Sequence, residues 1–160
     1  GGGAAGAGGW GAAGVAGGVG YRPGAGAMEG VATGCVPGWR GGYRRADMVD
    51  SGGPFAAGML CATPRALLKW TQELHNGRVL PDSLLRKMTT PYSNTGYGYG
   101  LFVEEITIRN HSAVVIHHGG GINGFTAALR RVQVDDGSSY TIAVLDNTQS
   151  DTTVQTATEL

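Results

Sequence analysis

The chain has 160 residues, enough for one small domain, and its 41% hydrophobic content lies in the globular range. Lys plus Arg total 12 and Asp plus Glu total 12, so nothing draws the chain to nucleic acid or to an anionic membrane surface, and no nucleic-acid partner is expected. No apolar run is long enough to span a bilayer, and two cysteines, Cys35 and Cys61, are too few for a disulfide framework or a zinc site, leaving a single bridge open.

Composition divides the chain. Gly1 to Val19 reads GGGAAGAGGWGAAGVAGGV, without apolar periodicity and with maximal backbone entropy to lose on ordering. A disordered Gly/Ala-rich tail is expected over residues 1–19, with one folded unit over residues 20–160. The tail lacks the basic start and leucine-rich segment of a signal peptide. Gly20 to Asp50 is loop-like, with Pro23, Pro37 and repeated glycines.

Regular structure is expected from Thr63 onward. Thr63 suits a helix N-cap, Pro64 suits the first helical position, and Asn76-Gly77 suits a stop. Leu67, Thr71 and Leu74 fall on one face of that helix, with Leu68 and Trp70 beside it. Pro81 to Met88 reads as a second helix with Leu84, Leu85 and Met88 inward, closed by Thr90-Pro91. Tyr97 to Ile108 and Ala113 to His118 read as strands. Phe125 to Val134 and Tyr140 to Asp146 form a hairpin around Asp135-Asp136-Gly137, and Asp151 to Leu160 starts a helix with Val154, Ala157 and Leu160 on one side. Local connections of this kind predict an α+β fold, an antiparallel sheet flanked by helices.

The stretch that carries chemistry is Ala113 to Phe125, AVVIHHGGGINGF. A β-branched run delivers two histidines and then three glycines, which let a ligand approach backbone N–H groups without a clashing Cβ. Taken alone, such a pattern is more often a solvated turn than a site. Alternation turns His117 to the opposite sheet face from His118 and marks it as structural. A metal site built from His75, His111, His117 and His118 lacks ligand spacing on one face, so neither metal nor cofactor is expected.

These residues resemble the active-site edge of the serine β-lactamase and penicillin-binding-protein-like hydrolases, the group of class C β-lactamases, D-alanyl-D-alanine carboxypeptidases and esterases. His118-Gly119-Gly120 stands where that family has Lys-Thr-Gly or His-x-Gly, and Gly124-Phe125 matches the Gly-Phe that follows. Gly20-Tyr21, Ala56-Ala57-Gly58, Leu67-Leu68-Lys69-Trp70, Met88-Thr89-Thr90-Pro91 and Gly98-Tyr99-Gly100 recur in family order. The resemblance implies the C-terminal portion of a β-lactamase/transpeptidase-like fold and a small-molecule or peptide substrate. Periplasmic or secreted location is common in the family. It also implies that His118 acts on the substrate together with Gly119 and Gly120, and that the Gly121 amide donates to an oxyanion hole. At the family's acidic helix position the chain has Ala66, which loses one half of a reciprocal cap.

Two family motifs are lacking. No Ser-x-x-Lys occurs in the 160 residues, and Tyr92-Ser93-Asn94 imitates the Tyr-x-Asn motif but lies on the wrong side of the Leu-Leu-Lys-Trp helix. The chain therefore reads as a C-terminal fragment of an acyl-enzyme hydrolase acting on amide, β-lactam or ester bonds, inactive alone for want of an activated serine. The competing reading is a non-catalytic binding or remnant module that keeps the same sheet edge. His in the motif, in place of Lys, tilts the parent activity toward peptidase or esterase.

Overall fold

The computed structural model describes residues 31–47, 60–150 and 152–159. The Gly/Ala-rich tail, Gly20-Tyr21 and Ala56-Ala57-Gly58 lie outside the described residues. Within them, β1 (Cys35–Pro37) and β2 (Tyr43–Arg45) form a small hairpin, followed by α1 (Pro64–His75) and α2 (Asp82–Met88). The main sheet is β3 (Phe102–Ile108), β4 (His111–Ile122), β5 (Phe125–Val134) and β6 (Ser139–Asp146), and α3 (Thr152–Glu159) closes the described chain.

The sheet is an antiparallel meander in the order β3-β4-β5-β6, the α+β architecture expected from the sequence. Its first two turns are as short as turns can be. Arg109 and Asn110 at φ 48° and 72° join β3 to β4, and Asn123-Gly124 joins β4 to β5 with Gly124 at φ 83°. Strand alternation gives the sheet two covered faces. Ala113, Val115 and Val132 form a buried cluster on one of them, with Ile108 and Val134 packed against it. On that same face α3 is tied down by Arg130 Nη1 donating to Thr158 Oγ1 at 3.0 Å and Thr153 Oγ1 donating to Asp146 Oδ2 at 3.0 Å. The other face carries Ile116, Leu129 and Arg131 beneath Trp70, Leu74 and His75 of α1.

The first helix forms where its caps place it. Thr63 Oγ1 accepts the Ala66 N–H at 3.2 Å, Pro64 occupies the first turn and Asn76 caps the end, with Gly77 at φ 73°. Ala66 itself is buried, so half of the capping pair survives and the other half is replaced by packing. Arg78 Nη1 then reaches the Glu73 carboxylate at 2.9 and 3.2 Å beyond the cap.

Four expectations need correction. The strand expected from Tyr97 begins only at Phe102, and Tyr97 makes an isolated bridge back to it. Gly96 explains the break: it sits at φ 77°, and a Cβ there would stand 2.7 Å from the Val103 carbonyl oxygen. Next, β4 does not stop at His118 but continues through Gly119, Gly120 and Gly121, paired with Ala128, Ala127 and Thr126. Third, Leu85 and Met88 of α2 are only half-buried, and Leu84, also expected inward, is exposed. Fourth, α3 buries Thr153 and Ala157 while Val154 is exposed, a shift of face that follows from the Thr153–Asp146 bond. The segment read as loop between residues 20 and 50 also contains the β1–β2 hairpin, which is docked through Cys35 N–H to the carbonyls of Asn147 at 2.8 Å and Gly124 at 3.2 Å.

Candidate functional site

The extension of β4 beyond β3 creates the feature of interest. Ladder phase follows from the turns: residues flanking a two-residue turn must exchange both of their backbone hydrogen bonds, and pairing direction then alternates along the strand. Counting from Ile122↔Phe125, the peptide groups of Ile122, Gly120 and His118 face β5. Counting from Ile108↔His111 at the other end, those of His111, Ala113, Val115 and His117 face β3. Both counts give the same phase. Ser112 agrees with it, because its N–H and C=O bond Asp135 on the β5 side.

By that phase the N–H and C=O of Gly119 and Gly121 are directed to the β3 side. The β3 register ends at Phe102↔His117, so no β3 residue stands opposite them. Among the described residues, the amides of this short run border an uncovered edge. Nor does packing require glycine there. A Cβ on Gly121 would meet nothing within 4 Å among the described residues, and those on Gly119 and Gly120 would meet Ala127 atoms at 3.7 and 3.6 Å, ordinary contact.

His118 begins this run and its ring is exposed. Its Nε2 lies 3.2 Å from the Tyr97 hydroxyl, and its Nδ1 is hydrogen-bonded to the Gly119 carbonyl oxygen. Phe102 anchors the group, with its ring centroid 4.5 Å from Tyr97 in an edge contact and 5.9 Å from His118. Tyr97 is set by its backbone: its carbonyl accepts from Tyr92 N–H at 2.9 Å and its N–H donates to Ser93 Oγ at 3.0 Å. Tyr92-Ser93-Asn94 is therefore a turn that positions Tyr97, with the Tyr92 ring tilted against Tyr99, centroids 4.9 Å apart.

His117 has different partners. It stacks on Phe102 at 5.4 Å, and its Nε2 donates to Glu104 Oε1 at 2.9 Å, with Arg130 Nη2 at 4.0 Å from the other carboxylate oxygen. The remaining histidines lie elsewhere. His111 Nδ1 contacts Asp135 Oδ1 at 2.8 Å; Asp135 is held below the usual carboxylate range first by the Ser112 N–H and then by His111. Burial, reinforced by the Arg131 charge, pushes His75 down to about 4. Among the described residues no group of three or more His, Cys, Asp or Glu is arranged to hold a metal ion.

Cys35 and Cys61 are free thiols, and burial pushes the Cys61 thiol up, which lowers its nucleophilicity at neutral pH. The arrangement around His118 can thus offer an imidazole, a phenol and two strand amides to one ligand edge. Sequence reasoning missed Tyr97. Its signal was present: the Gly-Tyr-Gly-Tyr-Gly run precedes Phe102, and Phe102 pairs with the residue just before His118.

No family model and no curated protein matches the chain in sequence. In structure it is similar to a penicillin-binding protein from Bacillus halodurans, with a TM-score of 0.65 and 18% identity over 96% of this chain and 47% of that one. It is also similar to a D-stereospecific amidohydrolase from a Streptomyces species, with a TM-score of 0.59 and 24% identity over 81% of this chain and 39% of that one. The chain spans less than half the length of either protein. No helix among the described residues is long and apolar enough to cross a membrane. Sheet order, flanking helices and these two likenesses agree that the chain has the fold of a β-lactamase/transpeptidase-like protein, as its resemblance to that family implies.

Proposed function

We propose that this chain forms the C-terminal part of a serine hydrolase that cleaves amide, β-lactam or ester bonds through an acyl-enzyme. In this reading His118 touches the substrate, Gly119 and Gly120 line its path, and the Gly121 amide donates to the developing oxyanion. The observation that carries it is the edge of β4 left uncovered among the described residues, where glycines that the packing of those residues does not require stand beside the His118–Tyr97 pair. Fixed amides along such an edge stabilise charge that appears only as the carbonyl is attacked. The likeness to an amidohydrolase supports the substrate class. The activated serine and its lysine are then supplied by chain outside this sequence, which contains no Ser-x-x-Lys.

The test is covalent labelling of the intact gene product with a fluorescent penicillin and with a fluorophosphonate. Stoichiometric labelling of a serine, competed by an unlabelled ester or amide, is expected. Specific binding of such ligands without any covalent adduct favours the non-catalytic binding module instead.

A further inference from the structure

The two ring nitrogens of His118 are both engaged, and their partners have unequal chemistry. A carbonyl oxygen only accepts, so the bond between Nδ1 and Gly119 requires the proton on Nδ1. In the neutral ring Nε2 then carries a lone pair, and the Tyr97 hydroxyl at 3.2 Å must donate to it. Free histidine prefers the opposite tautomer. Tyr97 is well placed to enforce this one, because its backbone is bonded on both sides, to Tyr92 and Ser93, and its ring packs edge-on against Phe102.

We infer that Tyr97 is the positioning residue of the site: together with the Gly119 carbonyl on Nδ1, its hydroxyl holds neutral His118 as the Nδ1–H tautomer, with Nε2 as the basic atom. This rests on the proposed role of His118 and deepens it. Neutral His118 is thereby an acceptor at Nε2, and any hydrogen it gives a ligand there passes through the Tyr97 hydroxyl or requires the imidazolium. Tyr97 acts through His118, and removing its hydroxyl leaves the Gly119 carbonyl alone to hold the tautomer, weakening its hold without removing the imidazole.

The test is ¹⁵N NMR of the intact gene product labelled at histidine, at a pH where imidazole is neutral, with the parent and Tyr97→Phe compared. The parent is expected to show His118 with a protonated Nδ1 and an unprotonated Nε2, and Tyr97→Phe is expected to shift His118 toward the Nε2–H form while the other three histidines keep their signals. A parent already in the Nε2–H form, or a tautomer unchanged by the substitution, overturns the inference. Unmoved signals from His75, His111 and His117 establish that the variant is folded. Labelling by fluorophosphonate separates this inference from the functional reading. Roughly tenfold slower labelling in Tyr97→Phe, the scale of one lost hydrogen bond, supports both. Slow labelling in His118→Ala with an unaltered rate in Tyr97→Phe overturns the positioning role alone. Unaltered rates in both variants, with the tautomer shift present, leave Tyr97 setting the ring and overturn the catalytic reading of His118.

Discussion

The glycines around Tyr97 and the glycines after His118 border one ring cluster, yet the packing of the described residues demands only the first set. Gly96 has a left-handed backbone and the Val103 carbonyl lies where its Cβ would go; Gly98 has the Met88 carbonyl oxygen 2.5 Å from that point. The run from Gly119 to Gly121 has extended strand geometry, ample space and partners that would accept alanine. Glycine inside a strand weakens it relative to alanine. One set therefore serves folding and the other costs it, the pattern that the proposed function expects of a surface kept clear for a ligand.

That contrast can be tested from both sides. The largest effect is expected at the ring on the open edge: His118→Ala should slow acylation of the intact protein by about 10²-fold, near 2.7 kcal/mol, for loss of one preorganised partner of developing charge. Rates per mole of titratable sites measure it, and His117→Ala is the control, expected to change stability more than rate because His117 is tied to Glu104. Gly96→Ala should lower unfolding free energy by about 2 kcal/mol in a denaturant melt, from the left-handed backbone and the Val103 contact. Gly121→Ala should do the reverse, slowing acylation about tenfold while leaving stability unchanged or raised by roughly 0.5 kcal/mol. A Gly121→Ala protein that melts as early as Gly96→Ala would erase the distinction.

The smallest effect concerns pH. At the end of α1, facing the sheet, burial pushes His75 from its ordinary 6.5 down to about 4. The unfolded chain binds that proton first, so its contribution to stability is complete above pH 6.5 and is lost as pH falls through 4. Allowing for partial solvent exposure, the loss is on the order of 1 kcal/mol. His75→Gln should flatten the stability profile between those limits, as read from melting midpoints.

Much of the fold was legible because its signals are local. Thr63, Pro64 and Asn76-Gly77 delimit α1 within a few residues of their own positions, and alternation located β5 and β6. What failed depended on distant partners. Gly96 and Gly98 answer to Val103 and Met88, so a run that alternates like a strand is an irregular loop. The glycine run, poor in β propensity, is held as strand by Thr126, Ala127 and Ala128 across the hairpin. The face of α3 was misassigned because Thr153 bonds Asp146. His118 and the glycines after it were identified from their order alone, while Tyr97 joins His118 across 21 positions and no periodicity announces such a pair.

The docking of β1 carries a consequence for how the protein folds. Strands β3 to β6 are consecutive in the chain, and two of their three links are two-residue turns, so the meander can zip from local contacts. By contrast, Asn147 Nδ2 donates to the Thr33 carbonyl at 2.8 Å across 114 positions, and Cys35 bonds Gly124 and Asn147 at similar remove. Closing so long a loop costs entropy that only an assembled sheet end can offset. The hairpin is therefore expected to join after the transition state, so that Asn147→Ala should accelerate unfolding in stopped-flow measurements while leaving the refolding rate unchanged.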